Sequence, residues 1–242
     1  MSYSFDDALE DVESLDTFDS MLFYGDGGRG KTNLAASAIH AGFNRVVIAD
    51  IEGSAKGVGR LNPGVKRLRI NSFNDLELFN AEVLANPNDI DLLIFDTLNA
   101  GNRLAINHFK SLPQNRSNKY GAWDDLLMFT NEWMRSFHAS SIPTIFIAHA
   151  VDEKNESTGS VKTMPKVQGS ASQDVPTIPD VVGYLQFENV GGTLKRVLYV
   201  GGSETLVTKN RFGLPDKIYD PTMSSIMDLI EEAKKSGNQE AA

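Results

Sequence analysis

The chain has 242 residues, no cysteine and a formal net charge of −9. Lack of cysteine excludes disulfides, thiolate zinc sites and cysteine nucleophiles, and no apolar run approaches the roughly 20 residues of a membrane span. The length suits one large α/β core; no secretory signal precedes it, so the expected location is cytoplasmic, with no membrane contact.

The acid is concentrated at the start. The first twenty residues hold Asp6, Asp7, Glu10, Asp11, Glu13, Asp16 and Asp19 and no Lys or Arg, so they carry −7 and the remainder only −2. Residues 1–19 read as an acidic segment. Ser4 can cap a short helix there, with Asp7 completing a capping box and Phe5, Leu9 and Val12 on one face. Met21-Leu22-Phe23-Tyr24 reads as a buried strand. Gly25-Asp26-Gly27-Gly28-Arg29-Gly30-Lys31-Thr32 then fits G-x-x-x-x-G-K-[ST]. Asn33 to Ala41, closed by Gly42, reads as a helix. Strand, loop and helix stand in the register that a phosphate-binding loop requires. Glycines let backbone N–H groups line an anion nest, and the helix N-terminus adds its positive end. Gly25, Asp26, Gly27, Gly28, Arg29, Gly30, Lys31, Thr32 and Asn33 are therefore the expected ATP-binding residues. Lys31 would reach the β- and γ-phosphates and Thr32 would hold Mg²⁺.

Arg45–Ala49 reads as a second strand, ending at Asp50-Ile51-Glu52, and Val65–Ile70 as a short third. Asn74–Ala85 reads as a helix stopped by Asn86-Pro87. Asp91–Phe95 is an apolar strand ending at Asp96. Trp123–Ala139 is an amphipathic helix, and Pro143–Ala148 a buried strand ending at His149. Val151–Pro179 is polar and reads as a long loop. Tyr184–Glu188 and Leu194–Val200 flank Gly191-Gly192 as a hairpin. Thr205–Thr208 reads as a last strand and Pro221–Lys235 as a helix. Strands alternating with helices predict a mostly parallel sheet, with ligands at the carboxyl ends of its strands.

Three polar residues fall at that edge. Asp96 has the place and chemistry of a Mg²⁺ ligand, alongside Thr32. Thr97 follows it where many P-loop ATPases carry a water-activating glutamate, so Glu52 is the candidate general base. His149 could hydrogen-bond the γ-phosphate. His40, His108 and His138 lack ligand-like spacing and read as structural or solvated. Gly101–Gly121 contains Arg103, Lys110, Arg116 and Lys119 and no acid, and Gly159–Gln173 contains Lys162 and Lys166 and no acid. Such runs are either solvated loops or contacts to a phosphate backbone. Neither contains a clear aromatic pair for base stacking.

Taken together, the phosphate loop, Glu52, Asp96-Thr97, His149 and the run Thr208-Lys209-Asn210-Arg211-Phe212-Gly213 resemble the RecA-like ATPases. The likeness is nearest to phage AAA-type proteins related to single-strand-annealing recombinases, and it covers roughly residues 20–216. It implies an α/β, three-layer P-loop NTPase fold with a mostly parallel sheet and a C-terminal antiparallel hairpin, followed by a helix and tail over 217–242. It implies hydrolysis of ATP with Mg²⁺ in a ring or filament. Lys209 and Arg211 would then act across a subunit interface as fingers on the neighbour's γ-phosphate. Segments 101–121 and 151–179 would bind single-stranded DNA in recombination or annealing, with phage or host replication and recombination proteins as further partners in a bacterial cytoplasm. Phe5-Asp6-Asp7-Ala8 resembles a Phe-x-x-Ala subunit-linking peptide, whereas no separate N-terminal DNA-binding or primase domain is recognisable. A helicase-like or loader motor, or a nucleotide-dependent switch binding a protein partner, are the alternative readings.

Overall fold

In the computed structural model the described residues are 18–240, apart from 117, 119, 155, 158 and 170. The N-terminal helix expected over Ser4–Val12 lies outside them. Five strands are buried at every position or nearly so, because helices cover both faces of the sheet: β1 (Ser20–Tyr24), β2 (Val46–Asp50), β4 (Leu92–Asp96), β5 (Thr144–Ala148) and the first half of β8 (Val181–Val190). The short strand β3 (Lys66–Arg69) is exposed throughout. With β9 (Thr193–Tyr199), β10 (Lys209–Asn210) and β11 (Lys217–Tyr219) they form a nine-stranded sheet ordered β11-β9-β8-β1-β5-β4-β2-β3, with β10 beside β8. The pairs from β8 through β1, β5, β4 and β2 to β3 are parallel, and β8–β9, β9–β11 and β8–β10 are antiparallel. The strand carrying the phosphate loop and the strand ending at Asp96 are therefore separated by β5. This is the three-layer P-loop NTPase fold of RecA-like type.

One face is packed by α1 (Lys31–Ala36), its 3-10 continuation Ser37–His40 and α6 (Met223–Glu240). The other is packed by α2 (Phe73–Ala85), α3 (Leu98–Ser111), α4 (Gly121–His138) and the short α5 (Ala171–Asp174). Ser72 starts α2 with the full capping box: its hydroxyl accepts from Asp75 N at 3.1 Å and Asp75 accepts from Ser72 N at 3.0 Å. Phe95, fully buried on β4, is the hub of the second face. It stacks on Phe146 at 5.4 Å and meets Phe79, Trp133 and Phe137 edge-on.

Four expectations need correction. Gly101–Gly121 is not a loop: α3 occupies most of it, because Thr97 caps a helix whose Leu98, Ala105 and Ile106 are buried. Val151–Pro179 is not one long loop either, since β6 (Ala150–Lys154) and β7 (Val161–Pro165) pair antiparallel and α5 follows. Thr205–Thr208 supplies only an isolated bridge from Leu206 to Thr163, and the strand proper is the two-residue β10. The helix after the phosphate loop is regular only to Ala36 and tightens to 3-10 geometry beyond it. The histidines read as structural are held: His138 Nδ1 pairs with Ser20 Oγ at 2.9 Å and His108 stacks on Phe73 at 4.6 Å.

Phe95→Ala should leave a cavity within the aromatic cluster and cost about 3–5 kcal/mol. Chemical denaturation checks this; a loss below ~1 kcal/mol would mean the cluster is not a rigid core.

Candidate active site

The phosphate loop leaves β1 at its carboxyl end, where two backbone constraints dictate glycine. Gly25 has φ 153°, and a Cβ there would lie 2.3 Å from the Leu185 carbonyl oxygen on β8. Gly30, with φ 86°, precedes α1, and a Cβ would meet the Arg196 guanidinium at 2.9 Å. The second approach puts an arginine of β9 against the loop, a contact without a sequence signal. On the outer rim Asp26 and Arg29 pair at 3.3 Å, and the Arg29 guanidinium sits over the Phe187 ring.

Lys31 is buried. Its ammonium donates to Gly25 O at 2.7 Å and Asp26 O at 2.8 Å. Burial pushes its pKa down, and the nearby carboxylates of Asp96, Glu52 and Asp26 oppose that. Next to it, Thr32 donates its hydroxyl proton to Asp96 Oδ2 at 3.0 Å. Ser54 Oγ donates to the same oxygen at 2.9 Å. Asp96 is itself 1% exposed. Burial raises its pKa, and the two hydroxyl donors pull the other way. The Asp96–Thr97 peptide is cis.

Glu52 is brought to the same place by the main chain. Ile51 N and Glu52 N donate to the Asp96 carbonyl oxygen at 2.8 and 3.0 Å, which folds the end of β2 over the end of β4. Asp50 fixes the turn: its carboxylate accepts from Gly53 N at 2.6 Å and pairs with Arg67 at 2.6 Å and Arg69 at 3.5 Å. Glu52 Oε1 then lies 2.9 Å from His149 Nε2. The backbone of His149 is held by Asn99, whose Oδ1 accepts from His149 N at 3.2 Å.

Of the residues singled out from sequence, Gly27, Gly28, Gly30, Lys31, Thr32, Asn33, Glu52, Asp96 and His149 line one cavity of about 490 Å³. Its oxygen donors, Thr32, Asp96 and Ser54, suit a hard cation such as Mg²⁺, and its glycine loop beside the Lys31 ammonium suits phosphate. Ser54, Asn99 and Asp50 were not found from sequence. Asp50 ends β2, Ser54 stands in the turn after it and Asn99 lies in the first turn of α3, with no spacing rule to mark them.

Lys209 and Arg211 stand elsewhere. Lys209 Nζ donates to Thr177 O at 2.5 Å, and Arg211 Nη1 pairs with Asp180 Oδ1 at 2.9 Å. Both line a separate cavity of about 670 Å³, between the β6–β7 hairpin and the segment entering β10. Arg103 and Lys110 are exposed on α3 and Arg116 just beyond it, with the Lys110 ammonium 4.8 Å over the Trp123 ring. On β7, Lys162 lies directly opposite Glu153, so the hairpin is not uniformly basic. Lys119 is outside the described residues.

No helix among the described residues is long and apolar enough to cross a membrane. No curated protein matches the chain. Among solved structures it is similar to a KaiC-like protein from the hyperthermophilic archaeon Pyrococcus horikoshii OT3, with 15% identity over 84% of this chain and 89% of that one and a TM-score of 0.43. The AAA domain family matches residues 17–212. With the phosphate loop, Asp96 and their shared cavity inside that span, the chain belongs to the AAA domain family of P-loop nucleotide-binding ATPase domains.

Proposed function

We propose that this protein hydrolyses Mg-ATP at the cavity formed by Lys31, Thr32, Asp96 and Glu52, and that it does so in an oligomer acting on single-stranded DNA in phage recombination or annealing. The observation that carries the reading is the convergence on one cavity of a buried ammonium, two hydroxyls beside a buried carboxylate, and a second carboxylate on a histidine. Bound Mg²⁺ would sit on Thr32 and Asp96 and neutralise developing phosphate charge. Lys31 exchanges its loop carbonyls for phosphate oxygens. Glu52 orients the attacking water and takes its proton, with His149 steering the carboxylate. Arg211 completes the neighbour's site in this reading; its half-exposed guanidinium supports such a reach. Arg103, Lys110 and Arg116, which project on and beyond α3, support a DNA contact; the β6–β7 hairpin is a weaker candidate because Lys162 faces Glu153. The direct test is ATP turnover with and without single-stranded DNA. Turnover stimulated by the strand is expected, and turnover indifferent to it would remove the DNA assignment.

Glu52→Gln should keep ATP bound while slowing hydrolysis by about 10²–10⁴-fold, the usual range for a lost general base. Parent-like turnover in single-turnover kinetics would place the base elsewhere.

Asp96 generates a prediction on stability. A carboxyl whose folded pKa is raised destabilises the fold once pH exceeds its unfolded pKa, because burial disfavours the ionised form. Asp96→Asn should therefore raise the melting temperature near neutral pH, and the gain should shrink as acid protonates the parent's Asp96. The same variant should lose Mg²⁺-dependent nucleotide binding. Scanning calorimetry over pH checks the first part; a variant less stable at neutral pH contradicts the burial argument.

The finger role predicts rescue between inactive chains. Arg211→Ala keeps an intact phosphate loop, and Lys31→Ala keeps an intact arginine. Mixed oligomers should regain part of the activity at interfaces that pair the two intact halves. If the two variants co-assemble and stay inactive, Arg211 acts within its own chain.

A further inference from the structure

The β3 edge carries a charge pattern that the nucleotide site does not use. Between Glu52 and Asp75 there are Lys56, Arg60, Lys66, Arg67 and Arg69 and no acid. Among the described residues β3 ends the sheet and is hydrogen-bonded on one side only, to β2. Arg67 and Arg69 are engaged by Asp50. The exposed side chains of Lys56, Arg60 and Lys66 have no hydrogen-bond or ion-pair partner among the described residues. Two apolar side chains stand among these cations, Leu61 at 65% and Leu68 at 44% exposure. A small cavity of about 290 Å³ lies between Lys56 and Arg67, floored by Ile48, Val58 and Val65. Charges on an edge strand do blunt edge-to-edge pairing. That alone leaves unexplained the cations continuing onto the turn Ala55–Arg60 and the apolar floor between them.

The complement is in the same chain. Residues 1–17 contain six acids, Asp6, Asp7, Glu10, Asp11, Glu13 and Asp16, with no Lys or Arg; the apolar Phe5 stands before them and Leu9 and Val12 among them. This segment joins the fold at Phe18, just before β1. β1, β5, β4, β2 and β3 all run parallel, so the start of β1 and Lys66 lie at the same edge of the sheet. Four strand spacings separate them, about 19 Å. A chain of seventeen residues can reach up to ~58 Å, well beyond that separation. The acids are thereby held at high effective concentration over their own basic edge.

We propose that residues 1–17 dock in cis on the basic β3 edge, covering Lys56, Arg60 and Lys66 and shielding them from nucleic acid. Each exposed ion pair is weak and screened by salt. The shield is therefore one that a polyanion displaces readily and that high salt loosens.

Zero-length carbodiimide cross-linking of an equal mixture of light and heavy isotope-labelled full-length protein tests it. Carboxylates of residues 1–17 should join Lys56 or Lys66 within one isotopic chain, and the yield should fall as salt rises. Links confined to other lysines, or found only between light and heavy chains, would overturn docking in cis; the second result would assign the edge to another copy. A second arm reads the shielding. Changing the six acids to their amides (Asp6→Asn, Asp7→Asn, Glu10→Gln, Asp11→Asn, Glu13→Gln, Asp16→Asn) should tighten binding of an oligothymidylate roughly tenfold, with a steeper salt dependence. Adding Arg60→Glu and Lys66→Glu should remove that gain. An amide variant that binds the oligonucleotide no tighter than the parent contradicts the proposal, whatever its ATPase rate.

Discussion

The active site depends on one buried carboxylate. Asp96 accepts hydroxyl protons from Thr32 of the phosphate loop and from Ser54 beyond β2, while its main-chain carbonyl takes Ile51 N and Glu52 N. Two segments distant in sequence, the phosphate loop and the stretch after β2, are thus fastened to the end of β4. A buried carboxylate is costly unless it is hydrogen-bonded or meets a cation. Two hydroxyls meet part of that cost, and the raised pKa reports the part left over. A divalent cation at this position would offset the remainder. Binding energy there would also stabilise the fold and would couple nucleotide to the geometry of Glu52.

The sheet order makes this junction possible. Because β5 intervenes between β1 and β4, Lys31 approaches Asp96 across the width of a strand, and His149 at the end of β5 arrives between them to meet Glu52. The Glu52–His149 contact sets the direction of the candidate base through a side chain on a neighbouring strand. Asp50 sets it through the turn, by holding Gly53 N. Two independent supports for one carboxylate are what a reaction needing a positioned water requires.

Much of this was legible in sequence where a residue type is forced by backbone geometry or by the end of an apolar run. Gly25 and Gly30 answer conformations that other residues adopt only with strain, and Asp96 and His149 follow apolar runs that could only be buried strands. Where the pattern gives no periodicity, reading failed. β6 has no fully buried face, so its alternation carries no signal. α3 hid behind its missing acids, which drew attention to charge rather than to the buried stripe of Leu98, Ala105 and Ile106. Ser54 and Asn99 act through single hydrogen bonds made only after folding. The cations of the β3 edge give no compact signal in sequence because they are spread across a turn and a strand, and only the fold gathers them.

The central claim is that Lys31 and its loop bind the phosphates of a magnesium nucleotide. Calorimetric titration of Mg-ATP into the parent protein and into a folded Lys31→Ala variant tests it most directly. The account predicts magnesium-dependent binding by the parent and its collapse in the variant, since Lys31 is the buried ammonium in that cavity. Equal affinity in the two proteins would contradict it.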